Sequence, residues 1–284
     1  MLALLRKHYR SSVLSLLALC AMFVWWGVLF ASEGQLVVAF LNIGQGDAMY
    51  IEAPNGNQML IDGGSGRQVL AELGSVMPFA DRSIDVVVGT HPDADHVGGL
   101  IPVLDRYTVS AILEPGSHAD TMTYRALEAE IQNKKIPRIL ARRGMVIDLG
   151  AGVTFTILYP DRDTAGMETN ESSIVGQLRY GSTTVLLTGD APQSVERRLI
   201  ARDGERLRST VLKPGHHGSR TSTSDVFVQR VGPQLAVISA GEANRYGHPH
   251  AEVLTILQKY GVLVLRTDKD GRVTLKSDGK EIRW

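Results

Sequence analysis

Three features of this 284-residue sequence predict an α/β fold in which two sheets pack together with helices outside. Strand hairpins are mixed with strand–loop–helix units, and the mixture occurs twice along the chain. Several strands are short, unbroken apolar runs, the pattern of strands buried on both faces. From residue 35 to residue 284 no linker or charge block divides the chain, so this region reads as one domain.

That domain begins with a strand over 35–41 and the turn Asn42-Ile43-Gly44-Gln45-Gly46-Asp47. Strands over 48–53 and 58–61 flank Pro54-Asn55-Gly56-Asn57, a strong hairpin signal. Asp62-Gly63-Gly64 closes the second strand, and 68–73 reads as helix. The apolar strand 85–89 runs into Thr90-His91-Pro92-Asp93-Ala94-Asp95-His96-Val97-Gly98-Gly99, and a helix starts over 98–104. A strand at 109–113, a helix at 123–134 and short strands at 138–141, 145–147 and 153–158 follow. Tyr159-Pro160-Asp161 breaks the chain, and 161–171 is a polar loop. A second hairpin, 173–179 with 184–187, ends in Thr188-Gly189-Asp190-Ala191-Pro192, where Pro192 opens a helix reaching about residue 202. The strand 210–213 ends in Pro214-Gly215-His216-His217-Gly218-Ser219. A short helix at 224–230, a strand at 235–239, a helix at 251–260 and a strand at 262–266 finish the core, and Asp270-Gly271 turns a last hairpin.

The N-terminus does not read as part of this domain. Residues 13–31 form an apolar and small-residue run, long enough as a helix to cross about 30 Å of hydrocarbon. Arg6, Lys7 and Arg10 precede it, so residues 1–12 are expected in the cytoplasm and the domain at 35–284 outside, periplasmic or extracellular. A cleaved signal peptide is the rival reading, against which stand the length of the run and the poor cleavage site Leu29-Phe30-Ala31.

Thirty basic and thirty acidic side chains give zero formal net charge, so overall charge offers no argument for a nucleic-acid partner. The single cysteine, Cys20, excludes an intramolecular disulfide framework and a cysteine-based zinc site. A metal must therefore be held by histidine and carboxylate. The turn 42–47 lacks the Lys-Ser/Thr ending of a phosphate-binding P-loop. It reads as a tight turn that holds Gln45 and Asp47 toward a site, or as plain turn chemistry.

Chemistry concentrates at strand ends. His91, Asp93, Asp95 and His96 lie within six residues after an apolar strand, and alternation in an extended segment puts the first three on one face, with His96 starting the turn to the helix. Imidazole and carboxylate suit zinc, manganese or iron. Asp190 and the pair His216-His217 follow two further strands. A carboxylate such as Asp190 can bridge two ions about 3.5–4 Å apart, or it can simply cap the helix after Pro192. His91 and Asp93 are expected to hold one ion. Asp95, His96 and one of the paired histidines are expected to hold the other.

The sequence resembles the metallo-β-lactamase-fold hydrolases, and within them the branch typified by the hydrolase domain of ComEC-type DNA-uptake proteins. The resemblance runs from Gln35 to about Lys276 and rests on seven stretches in the family's order: Asn42–Ala48, Leu60–Gly64, Thr90–Gly99, Asn170–Val175, Leu187–Asp190, Lys213–Ser219 and Tyr246-Gly247-His248-Pro249. It implies an αββα sandwich with two divalent ions, Zn2+ or Mn2+, at the edge between the sheets. Two departures stand out. Asp93 occupies a position where the wider superfamily has histidine, although the ComEC-like branch shares the aspartate. The mid-chain histidine ligand is also missing: only His118 lies between the first loop and Asp190, and Asn170 and Ser172 occupy the corresponding stretch. The first metal position is thus thinly furnished, which points to a labile or harder ion such as manganese.

The remaining roles follow as expectations. Of the histidine pair, His217 is the ligand and His216 faces substrate. His248, which the resemblance places at the mouth, binds a phosphate or protonates a leaving alkoxide, and Asp95 counts with His216 and His248 among the catalytic groups. Asp62 orients a ligand histidine. Ser219 and Lys213 flank the histidine pair, and Lys213, Arg220, Arg142 and Arg143 are candidates for contacts to a nucleic-acid backbone. No aromatic stacking platform is visible. The expected function is a membrane-tethered metallohydrolase that uses a metal-activated hydroxide on a phosphodiester, with DNA or RNA favoured by the family branch. The alternatives are an esterase for a small or cell-wall phosphodiester of the phosphocholine type and a non-catalytic, metal-stabilised binding domain.

Overall fold

The first strand of the domain, β1 (Leu36–Phe40), shows why two sheets form. Leu36, Val38 and Phe40 point into one apolar interior, while Ala39 and the following Leu41 point into another. A strand with both faces buried must be covered on both sides, and this chain does so with a second sheet on one face and helices on the other. The computed structural model describes residue 9, residues 11–23 and residues 34–284.

The first sheet contains β1, β2 (Met49–Glu52), β3 (Gln58–Ile61), β4 (Ser83–Val88), β5 (Thr108–Glu114) and β6 (Arg138–Leu140) in chain order. The second contains β7 (Val146–Gly150), β8 (Val153–Tyr159), β9 (Val175–Tyr180), β10 (Thr183–Leu187), β11 (Val211–Lys213), β12 (Leu235–Ile238) and β13 (Leu263–Arg266). Between the sheets, Val38, Phe40, Met59 and Ile61 share a core with Phe155, Leu178, Val185, Leu187 and Val237.

The helices α1 (Gln68–Val76), α2 (Ala94–Val97), α3 (Leu100–Arg106) and α4 (Met122–Lys134) cover the first sheet, through Val69, Leu73, Leu100, Val103 and Leu127. On the second sheet, α5 (Gln193–Asp203), α6 (Asp225–Val231) and α7 (Ala251–Lys259) do the same through Val195, Leu199, Phe227, Val253 and Leu257. The layers are helix, sheet, sheet, helix.

The expected hairpin at the end of the chain does not form. The last helical turn, α8 (Thr267–Asp270), redirects the chain, and β14 (Val273–Ser277) crosses to the first sheet, pairing antiparallel with β1. A further strand, β15 (Ile282–Arg283), pairs with β14 at the edge. The apolar face of β14 is satisfied by burying Val273 and Leu275 between the sheets, and β13 already has β12 as a parallel neighbour.

The chain divides into two compact units, Met1–Gly34 and Gln35–Trp284. In the first, residues 11–23 are helical and expose Leu14, Leu16, Leu17 and Leu19. Among the described residues no helix is long and apolar enough to cross a membrane. Residues 24–31 of the expected span lie outside the described residues.

Candidate metal centre

Both sheets deliver polar side chains to one edge. From the first come Asp47 after β1, Asp62 after β3, and His91, Asp93, Asp95 and His96 after β4; from the second come Asp190 after β10 and His216 and His217 after β11. Two glycines permit the close approach of these loops. Gly46, at φ 123°, lies where a Cβ would overlap the Asp95 carbonyl, and a Cβ on Gly99 would overlap the Gly63 carbonyl.

The loop after β4 departs from the extended arrangement that alternation predicts. His91 and Asp93 precede a helical turn, and Asp95 and His96 sit on that turn, α2, with Asp93 extended at its N-cap. Asp95 is therefore carried toward the second sheet, with Oδ2 3.5 Å from His217 Nε2, while Asp93 Oδ2 stays 3.6 Å from His91 Nε2.

The histidine pair splits because His216 (φ 50°) and His217 (φ 54°) both adopt the left-handed conformation. That conformation is costly for non-glycine residues. It turns His217 inward, fully buried, and leaves the side chain of His216 28 % exposed.

Three imidazoles are fixed in the same sense. The Thr90 hydroxyl donates to Asp62 Oδ2 (2.7 Å), so it accepts from His91 Nδ1 (3.1 Å). His96 Nδ1 donates to Asp62 Oδ2 (2.8 Å), and His217 Nδ1 donates to the Ser239 carbonyl (3.1 Å). Each Nδ1 is therefore a donor, and each Nε2 is the atom left to present a lone pair to an ion, an assignment made from the hydrogen-bond network. The three Nε2 atoms lie 4.0, 3.3 and 3.5 Å from Asp190 Oδ2. All three, and Asp190 Oδ1, are buried without a hydrogen-bond partner.

Buried polar groups are normally satisfied, so four converging orphans are what a metal centre needs. His91, His96 and Asp190 form one group with ligand atoms close enough to share an ion, and Asp95, His96 and His217 form another. Charge gives the same result. Five carboxylates (Asp47, Asp62, Asp93, Asp95 and Asp190) face one buried ammonium, Lys213, leaving four negative charges with the histidines neutral. Two divalent cations cancel that excess.

Without metal the same field draws a second proton onto His96 and His217, which an incoming ion displaces from Nε2. Burial alone would push His217 down, but Asp190 and Asp47 outweigh it and lift it to about 9; His96 is likewise raised by Asp190 and Asp62. Burial would raise Asp190, but His217 and His96 hold it well below the usual carboxylate range. Burial lowers His216, and lowers His248 to about 4 with help from the neighbouring His217 and His216.

The other expected residues fall into three places. Asp62 lies on His96, and Asp47 lies under the cluster, 3.4 Å from His217 Nδ1. Gln45 accepts the Gly241 N–H (3.1 Å), tying the turn 42–47 to the loop after β12. Ser219 accepts from the Thr221 hydroxyl (3.0 Å), which in turn sits 3.3 Å from His216 Nδ1. His248 is 92 % buried, with ring centroids 5.4 Å from His216 and 6.2 Å from His217 and with Nδ1 unpartnered.

Asn170 and Ser172 form a 3-10 turn, and the Ser172 hydroxyl is engaged by Ser117 (2.6 Å) and the Thr169 carbonyl (2.6 Å), which leaves it structural. His118 pairs with the Tyr124 hydroxyl (3.2 Å), away from these groups.

One surface role is corrected, and two arginines have partners within the chain. Lys213 has no exposed area: its ammonium pairs with Asp47, donates to the Gly189 carbonyl (2.9 Å) and lies 3.8 Å from Asp190 Oδ1, so it serves the ligands from below and cannot hold a substrate phosphate. Arg142 donates to the Pro115 and Ala141 carbonyls, and Arg143 makes a two-armed contact with Asp203 (2.7 and 2.8 Å).

An aromatic platform does exist at the rim. The half-exposed Tyr246 ring stacks on His248 (5.6 Å, 22°), with the Arg245 guanidinium 4.9 Å from the tyrosine centroid. Thr90, Ser173 (which accepts the Asp190 N–H at 3.2 Å) and the Ser239 carbonyl are further functional partners that residue type alone did not disclose.

A four-layer αββα sandwich with a His/Asp centre at the shared sheet edge defines a class. Residues 41–242 match the Metallo-beta-lactamase superfamily, and the chain belongs to that superfamily, as a metal-dependent hydrolase. Its curated relatives include a competence protein and a ComE operon protein. It is 33 % identical over 193 residues to "ComE operon protein 3" of Bacillus subtilis (strain 168), covering 68 % of this chain and 24 % of that protein. It is 34 % identical over 190 residues to "Competence protein ComA" of Neisseria gonorrhoeae, covering 67 % and 25 %. The chain thus spans about a quarter of the length of these relatives. Among solved structures, CmlA, a diiron beta-hydroxylase from Streptomyces venezuelae, shares the fold at TM-score 0.57 and 14 % identity, covering 86 % of this chain and 54 % of CmlA. Zn(2+)-bound PqqB from Methylobacterium extorquens does so at TM-score 0.50 and 10 % identity, covering 81 % and 87 %.

Proposed function

We propose that this chain is a phosphodiesterase that cuts nucleic acid, DNA or RNA, with a pair of Zn2+ or Mn2+ ions. The observation that carries the reading is the convergence of three oriented Nε2 lone pairs on Asp190. His91, Asp93 and Asp190 would hold one ion, and Asp95, His96, His217 and Asp190 the other. When bound, such a pair supplies Lewis-acid polarisation of a phosphoryl oxygen and a nucleophile at neutral pH.

The protein's own groups do the rest. Asp62, Thr90 and Ser239 orient the ligand imidazoles. Lys213 holds Asp47 and Asp190 in their charged form. His248, near 4, is neutral at pH 7, so it offers hydrogen bonds to a phosphate and carries no proton to deliver to the leaving group. His216, also neutral, faces the open side with Thr221 behind it. Tyr246 and Arg245 offer a base a stacking surface beside this mouth. The competence relatives support a nucleic-acid substrate over a phosphocholine ester.

The apolar run 13–31, preceded by Arg6, Lys7 and Arg10, supports tethering to a membrane with the domain on the extracytoplasmic side. The deciding experiment measures cleavage of single- and double-stranded DNA and RNA and of a choline phosphodiester by the metal-loaded chain. Turnover of the choline ester without cutting of any nucleic acid would refute the substrate assignment.

A further inference from the structure

Away from the metal centre, three concavities adjoin one another on the outer side of the second sheet. The first, about 620 Å³, lies between α5 and α6 and is lined by Arg197, Glu205, Arg208 and Arg230. The second, about 360 Å³, shares Glu205 and Arg208 with it and adds Arg179 and Arg206. The third, about 340 Å³, shares Arg179 and Arg206 and adds Arg143 and Asp203. Shared walls make them one trench.

Six arginines against two carboxylates leave four positive charges there, in a chain whose formal net charge is zero. Asp203 is occupied by Arg143, and Glu205 by Arg208 (2.6 Å) and Arg230. Arg179, Arg197 and Arg206 are exposed, and among the described residues none has a carboxylate at ion-pair distance. Arg179 makes one hydrogen bond, to Gln177 Oε1 (3.1 Å).

The trench passes the starting ends of β10, β11 and β12, at Thr184, Thr210 and Gln234. Asp190 and His217 follow the finishing ends of β10 and β11. The five residues of β10 alone separate the two places by roughly 16 Å at about 3.3 Å per residue. On that separation a dinucleotide at the metal centre would fall short of the trench, whereas a long strand would have the length to span it.

We propose that this trench is a second binding site, for the phosphate backbone of a nucleic-acid strand, that holds the polymer while another part of it occupies the metal centre. Planar guanidinium groups in a linear row suit successive phosphates, and a row of contacts along a backbone is indifferent to sequence. The cutting half of this statement rests on the function proposed above; the binding half does not.

The test uses the full chain in neutral-detergent micelles with metal removed by chelator, and a fluorescein-labelled 30-nucleotide single strand followed by anisotropy across salt. The triple variant Arg179→Gln, Arg197→Gln, Arg206→Gln should lower the salt slope by about two, at about 0.7 per lost contact, and weaken binding about 100-fold at 0.1 M salt relative to convergence near 1 M. Once metal is restored, hydrolysis of a dinucleotide by the variant should match the unaltered chain.

Unchanged strand binding in the triple variant overturns the site, as does failure of the unaltered chain to bind the strand. A variant-sensitive interaction with phosphatidylglycerol vesicles alone assigns the trench to a lipid surface and overturns the nucleic-acid reading. Strand binding lost in the variant while the metal-loaded chain cuts no nucleic acid upholds the trench and refutes the proposed function. Arg206→Glu, a single exposed change, repeats the comparison should the triple variant misfold.

Discussion

Replacing Asp62 with asparagine should set a proton against a metal ion. The carboxylate accepts three hydrogen bonds, from Thr90 N–H (2.8 Å), the Thr90 hydroxyl (2.7 Å) and His96 Nδ1 (2.8 Å). In the Asp62→Asn variant one oxygen remains for Thr90 N–H, and an amide NH2 faces the other two groups. The hydroxyl rotates to accept. The imidazole can only accept with Nδ1 deprotonated and a proton on Nε2, which points at Asp190 Oδ2 from 3.3 Å. Without metal the imidazole proton still finds Asp190, so the metal-free domain loses only about 1 kcal/mol. Loading an ion forces the proton back to Nδ1 against a buried donor, at about 1–3 kcal/mol, or about 5- to 150-fold in affinity, the range seen for partners behind metal-bound histidines. Chelator-competition titration reads the affinity, and imidazole nitrogen chemical shifts read the tautomer. Affinity within twofold of the unaltered protein would refute the orientation argument, and collapse of the metal-free form would make Asp62 a folding residue.

Four further outcomes follow. Asp190→Ala should abolish activity and lower bound metal at both positions, whereas His96→Ala should mainly empty the position shared with Asp95 and His217; full metal content in Asp190→Ala, measured by elemental analysis, would return Asp190 to helix capping. His217→Ala should lose metal, while His216→Ala should keep it and lose turnover, because only the first has a buried, unpartnered Nε2. Lys213→Ala should destabilise the metal-free domain by about 3–5 kcal/mol in denaturant titration, since it leaves Asp47 buried without its cation; an effect on DNA cleavage with unchanged stability would restore a substrate role. Burial raises the Glu196 carboxyl above its ordinary 4.5, despite the hydrogen bonds from Ser224 and Thr223 that favour its charged form. The folded state keeps this proton longer than the unfolded one, so its stabilising contribution is full below about 4.5 and is lost as pH rises through the raised value. Glu196→Gln should remove that fall from the melting-temperature profile, and an unchanged profile would place the titration elsewhere.

The fold was legible wherever local pattern decides it. Pro54-Asn55-Gly56-Asn57 turns the β2–β3 hairpin, and the apolar runs into His91, Asp190 and His216 are strands. Local pattern does not record which sheet a strand joins, so β14 looked like the partner of β13 although its pairing is with β1. The candidate ligand types were legible because histidine and aspartate cluster at strand ends, but their directions depend on left-handed backbone at residues 216 and 217 and on a helical turn at Ala94–Val97. Lys213 read as an exposed cation because its neutraliser, Asp47, belongs to the other sheet. Tyr246 and Arg245 became a platform only once the chain folded the tyrosine ring onto His248.

The split origin of the centre has a mechanical consequence. Asp95 and His96 are carried by one sheet and Asp190 and His217 by the other, so an ion held by all four is a rivet through both layers. Its binding energy belongs to the whole sandwich: free ion at a thousand times its dissociation constant would add about 4 kcal/mol to the unfolding free energy. With the ion so held, a chelator should lower the melting temperature of both sheets together.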